Sequence, residues 1–168
     1  METETRREKA MNYFTEGYNC AQAVALAFSD LLPLEPETLS RLACSFGGGM
    51  GRLREVCGSV SGMLLVLGLL YGYAGPEKGE VKAEQYARVQ AVARRFEERE
   101  GSLLCRELLG LSGKHDEPTP AARTPGFYKE RPCGQLIGDA AVILEAYIRE
   151  QGERHDLGSG AVPGPRPL

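Results

Sequence analysis

With 168 residues and a formal net charge of −3, the chain is long enough for one domain with a real core, and its interspersed charges argue against nucleic acid or an anionic membrane as principal partner. Two histidines, His115 and His155, exclude a histidine-rich metal site within one chain and give little support to Ser-His-Asp or Cys-His catalysis. The charged opening Met-Glu-Thr-Glu-Thr-Arg-Arg-Glu-Lys is unlike a secretory signal, so the expected location is cytoplasmic, where cysteines stay reduced.

Helical periodicity runs through nearly the whole chain. Ala10, Met11 and Phe14 begin it, and Ala21, Val24, Ala25, Phe28, Leu31 and Leu32 form an i, i+3, i+4, i+7 face that Pro33 ends. Pro36 suits the first turn of a third helix, with Leu39, Leu42, Ala43 and Phe46 inward and the glycines 47–49 as its stop. From about Cys57 to Tyr73 the chain is apolar on nearly every side, as expected of a central helix wrapped by others. The Val60–Ala74 stretch falls short of the roughly 20 apolar residues of a membrane span, so an integral membrane protein is not expected. Gly58 and Gly62, then Gly68 and Gly72, stand four apart, and each glycine costs a helix up to about 1 kcal/mol. A close neighbour against the backbone would offset that cost.

A fifth helix is expected over about 80–100, with Val81, Gln85, Tyr86, Val89, Val92, Ala93 and Phe96 inward. Ser102 reads as the N-cap of a short helix ending near Leu109, and residues 111–131 read as a long loop. A last helix, about 133–151, carries Leu136, Ile137, Ala140, Ala141, Leu144, Tyr147 and Ile148 on one stripe. The tail 152–168 reads as disordered. The expected architecture is therefore all-α: one domain over 1–151, a bundle of six or seven helices around the 57–73 helix.

Four of the five cysteines, Cys20, Cys57, Cys105 and Cys133, stand where a helix is expected to begin. A helix start carries partial positive charge and free N–H donors, which favour thiolate over thiol. Cys57 has the strongest setting, because Arg52 and Arg54 precede it in a glycine loop; the sequence predicts a low-pKa, partly accessible thiolate there. Cys20 and Cys133 are the candidate resolving thiols, and Cys105, after Leu103-Leu104, is the most easily explained by packing. Cys44 falls off the apolar stripe of its helix and reads as non-essential. Glu55 is a candidate for proton transfer at Cys57, although a solvated loop charge explains it better. The Gly47-Gly48-Gly49-Met50-Gly51-Arg52 loop lacks the Walker and G-x-G-x-x-G patterns, which leaves Gly47, Gly48, Gly49, Gly51 and Arg52 as a candidate anion- or cofactor-binding turn.

The stretches Asn19-Cys20-Ala21-Gln22-Ala23-Val24, Phe46-Gly47-Gly48-Gly49-Met50-Gly51-Arg52, Cys57-Gly58-Ser59-Val60-Ser61-Gly62 and Cys105-Arg106-Glu107-Leu108-Leu109-Gly110, with Cys133 opening the last helix, resemble the C_GCAxxG_C_C family of redox-active proteins. The resemblance implies that Cys20, Cys57, Cys105 and Cys133 are the family's four cysteines. The chain departs at Ser59, where the pattern favours alanine, and at Val56, where it favours glycine.

Three functions follow as expectations. The first is thiol–disulfide exchange or electron transfer with an unidentified redox partner, in which Cys57 is the reactive thiolate. The second is a zinc or iron–sulfur site on Cys20, Cys57, Cys105 and Cys133, four thiolates being the required ligand number, although no C-x₂-C pair is present. The third is a helical interaction module whose apolar stripes bury a homodimer seam.

Overall fold

The computed structural model describes residues 3–113 and 117–156, and among them all regular elements are helices. The expected tail begins later than residue 152, because the last helix continues to Asp156; the remainder of that tail and His115 lie outside the described residues.

Local signals set the helix starts. Helix α1 (Arg6–Thr15) opens on Thr5 and α2 (Cys20–Leu26) on Asn19, each with a capping box: the cap side chain accepts the N–H of Glu8 or Gln22, and that residue's side chain accepts the cap N–H in return. The second helix stops six residues short of Leu32, giving way to a 3₁₀ turn over Ser29–Leu31. The cause is Arg6, whose guanidinium donates to the Ala27 carbonyl at 2.6 Å, lies over the Phe28 ring and pairs with Asp30. Those contacts satisfy the helix end and turn Leu31 outward, to 40% exposure.

Helix α3 (Pro36–Ala43) starts on proline and buries Leu39 and Ala43, but its last turn tightens to 3₁₀ over Cys44–Phe46, and Leu42 is 48% exposed rather than inward. Helix α4 (Gly58–Tyr71) is the central one and packs against α2, α5 (Gly79–Glu100) and α8 (Cys133–Asp156). The helix-spaced glycines divide sharply. A Cβ on Gly58 would lie 2.3 Å from the Cys20 sulfur, and one on Gly62 would lie 2.8 Å from the Ala21 carbonyl oxygen, whereas one on Gly68 would meet nothing within 4 Å. On α5, Val92 and Phe96 are buried as expected, while Tyr86 faces solvent at 56% exposure.

The expected 102–109 helix is a single turn, α6 (Cys105–Leu108). Ser102 acts two residues ahead of its N-cap, accepting the Leu104 N–H at 3.0 Å and bonding the Glu107 carboxylate. The chain just before this turn pairs with the chain just before α4: Cys57 N–H donates to Leu103 O at 2.8 Å and Cys105 N–H to Glu55 O at 2.7 Å. Within the expected loop 111–131 lies a further short helix, α7 (Pro125–Glu130), started by Thr124, which accepts the Phe127 N–H, and by proline in its first turn.

The core contains one charged cluster. Asp139 of α8, 1% exposed, accepts from Arg99 of α5 at 2.8 Å and from Arg7 of α1. Burial, then a hydrogen bond with Asp139 and its charge, push the adjacent Glu100 carboxyl up to about 7. Asp139 itself is held below its usual range: burial opposes this, but the hydrogen bonds from Glu100 and Arg7 outweigh it. Glu100 Oε1 and Asp139 Oδ2 are buried with no other hydrogen-bond partner among the described residues, and a proton held between the two carboxyls would satisfy both.

Glu100 binds its proton more tightly folded than unfolded. Its contribution to stability is full below its unfolded value of 4.5 and is lost as pH rises through about 7. Glu100→Gln, which keeps the hydrogen-bond donor, is expected to flatten that decline. Urea midpoints measured across this window check it; an unchanged slope counts against the shared proton.

Candidate functional site: a thiol-lined cleft

All four helix-start positions hold. Cys20, Cys105 and Cys133 are the first residues of α2, α6 and α8, and Cys57 is the N-cap of α4. These starts converge on one cleft of about 190 Å³ that all four cysteines line. Cys44 is exposed, away from the cleft, and donates its S–H to the Arg41 carbonyl.

The glycine loop brings two of these starts together. Gly48, Gly49, Met50, Gly51 and Arg52 all have φ between 65° and 70°, and Arg54 follows at 60°. A left-handed backbone is cheap for glycine and costs roughly 1–2 kcal/mol for each other residue. The bend is fixed by N–H donation from Gly51 to Gly47 O at 2.9 Å and from Glu55 to Gly49 O at 3.1 Å. It closes tightly around its neighbours: a Cβ on Gly47 would lie 2.4 Å from the Asn19 side chain, and one on Gly49 would lie 2.6 Å from Cys105 Cβ. Gly47, Gly48 and Arg52 line the cleft, whereas Gly49 and Gly51 shape the turn behind it.

Electrostatics separate the thiols. The expected low-pKa thiolate at Cys57 is overturned: the residue is 6% exposed, and burial, then the neighbouring Cys20, push its thiol up to about 12 against the N–H of Ser59. A helix start supplies N–H donors, but here desolvation outweighs them. Burial and Cys20 likewise push Cys133 up to about 11, with Arg131 opposing. Cys20 is also raised by burial, partly offset by the N–H of Gly48. The Cys20 sulfur lies against Gly58, next to Cys57 in the chain, and both Cys20 and Cys105 act on Cys57 and Cys133.

The cation expected beside Cys57 sits instead on Cys105. Arg54, 4% exposed, donates from Nη1 to the Cys105 sulfur at 3.6 Å. Its Nε has no hydrogen-bond partner, and no salt bridge reaches it among the described residues. Glu55, expected as a solvated loop charge or a proton-transfer group at Cys57, is half-buried and paired with Arg106 at 3.0 Å.

Part of the lining, from Pro120 to Arg131, comes from a stretch to which periodicity gave no role. Arg123 donates to the carbonyls of Phe14 and Tyr18, both at 3.2 Å, and lies over the rings of Phe14 and Phe127, while Arg131 also lies over Phe127. The Thr124-Pro125 helix start was the one local sign that this stretch is ordered.

Among the described residues, no three His, Cys, Asp or Glu side chains are grouped closely enough to hold a metal ion. The four cleft thiols are therefore not grouped as zinc or cluster ligands, and that expectation does not fit them. No helix among the described residues is long and apolar enough to cross a membrane.

An all-α domain whose helix starts deliver four thiols to one cleft defines a class of cysteine-centred helical protein. The chain belongs to the C_GCAxxG_C_C family: the family model described as "Putative redox-active protein (C_GCAxxG_C_C)" matches residues 18–147, a span that includes all four cleft cysteines. Membership supports a general redox role. No match was found among curated proteins or among solved structures.

Proposed function

We propose that the protein carries out thiol–disulfide exchange, with Cys105 as the attacking thiol and Cys20 as the thiol that resolves the mixed disulfide. The observation that carries this reading is the buried Arg54 guanidinium on the Cys105 sulfur, a cation with no carboxylate partner among the described residues. Such a donor holds the sulfur in place and can stabilise charge that develops on it as S–S bonds form and break. Cys20 lines the same cleft and its thiol is acted on by Cys105 and by the Gly48 N–H of the glycine loop, which supports it as the second sulfur. Among the described residues, Cys57 and Cys133 line the same cleft without a guanidinium on the sulfur.

Exposure of the reduced protein to hydroxyethyl disulfide is expected to consume two thiols and to yield one intramolecular disulfide, mapped by peptide mass spectrometry to Cys105. Cys105→Ser should slow loss of the first thiol by roughly tenfold or more, and Cys44→Ser should leave the rate unchanged. Persistence of all four cleft thiols under oxidant would overturn the reading, as would an undiminished rate in Cys105→Ser.

A further inference from the structure

Among the described residues, the cleft walls carry four arginines, Arg52, Arg54, Arg123 and Arg131, and no aspartate or glutamate. None of the four enters a salt bridge among the described residues, in a chain whose net charge is −3. Arg123 spends its donors on two carbonyls, and Arg52 Nε donates to the Glu117 carbonyl at 2.8 Å, with the Glu117 charge acting on it from further away. Arg54 is the exception, because its Nε is buried with no partner. A guanidinium in a cleft wall that no carboxylate of the described residues pairs is suited to an anion from outside the chain.

Size and depth narrow the acceptor. A cavity of ~150 Å³ admits benzene, and this one is about 190 Å³. Cys57 and Cys105 are 6% and 7% exposed, too recessed for a cysteine on the surface of a folded partner to reach. Apart from the arginines and thiols the lining is largely apolar, with Phe14, Phe127 and Leu136 among it.

We propose that the cleft binds a small organic anion, and that the exchange partner is a low-molecular-weight disulfide or thiol bearing a carboxylate, held by Arg54 and Arg52 beside Cys105. This assignment of substrate class rests on the exchange reading above. The Cys105 thiolate attacks one sulfur of R–S–S–R, the reagent's S–S bond breaks, and Cys105–S–S–R forms as RS⁻ leaves. The Cys20 sulfur then attacks Cys105, the mixed disulfide breaks, and a second RS⁻ leaves. The two protons of the protein thiols end on the two RS⁻ groups; the protein is oxidised by two electrons and the small disulfide is reduced to two thiols.

Three disulfides of similar size test the charge: dithiodiglycolate (anionic), hydroxyethyl disulfide (neutral) and cystamine (cationic). With the reduced full chain at low ionic strength, thiol loss should be fastest with dithiodiglycolate and slowest with cystamine, a spread of roughly tenfold or more. The spread should shrink in about 0.5 M salt and collapse in Arg54→Gln and Arg52→Gln, with folding checked by circular dichroism. If Arg54→Gln does not fold, Arg52→Gln decides. Cystamine matching dithiodiglycolate, or a spread that survives in the folded variants, overturns the anion site. Binding of succinate, which has no sulfur, is followed separately by NMR. If no disulfide oxidises the thiols, the exchange reading falls. Succinate binding that is lost in the arginine variants then upholds the anion site alone, and absence of succinate binding overturns that as well.

Discussion

Gly58→Ala is expected to destabilise the protein by about 1–3 kcal/mol, whereas Gly68→Ala, ten residues along the same helix, is expected to stabilise it by about 0.5–1 kcal/mol. The added methyl at residue 58 would lie 2.3 Å from the Cys20 sulfur and 2.9 Å from the Phe46 carbonyl oxygen. The oxygen is backbone and cannot swing aside, so the glycine loop or α2 must shift. At residue 68 the methyl enters open space and only the helix propensity changes. Urea midpoints of the two variants check the opposite signs, and a shift in the same direction for both would refute the packing argument. Gly58→Ala should also displace the Cys20 sulfur and speed its alkylation.

Asp139→Ala is expected to cost about 2–4 kcal/mol. Asp139 is the shared acceptor of Arg7 and Arg99, which join α1 and α5 to α8. Because the side chains of Arg7 and Arg99 are 36% and 48% exposed, water partly replaces the lost carboxylate, which holds the figure below that of a fully buried pair. Removing Asp139 also removes one cause of the raised Glu100 pKa, so the decline in stability toward pH 7 should shrink. Thermal unfolding at two pH values tests both parts. A loss under about 1 kcal/mol would show that the cluster is held by the helices and not the reverse.

How much was legible in the sequence varies with the range of the interaction. The four cysteine placements could be read from local signals, since Asn19 with Gln22, Pro132 before Cys133 and the glycine loop before Cys57 act within one or two turns. Even the purpose of Gly58 was half visible: its spacing called for a close neighbour, and the neighbour is Cys20. Leu42 and Tyr86 went the other way, because an i, i+3, i+4 pattern identifies a stripe but not how far the next element covers it. The acidity of Cys57 was misjudged for a physical reason. Helix-start electrostatics are local and favour the thiolate, whereas desolvation depends on what packs against the start from elsewhere. Arg54 was attributed to the nearest cysteine in sequence, but its left-handed backbone turns its side chain to Cys105, across the ribbon.

That ribbon also sets the order of assembly. Cys57 meets Leu103 and Cys105 meets Glu55 only after the whole of α4 and α5 has been laid down between them. Long closures add entropy cost before they return contacts, so this pairing belongs late in folding, and Arg54 reaches the Cys105 sulfur no earlier. A nascent chain therefore carries four separate, ordinary thiols, and their joint reactivity arises only when the fold is complete.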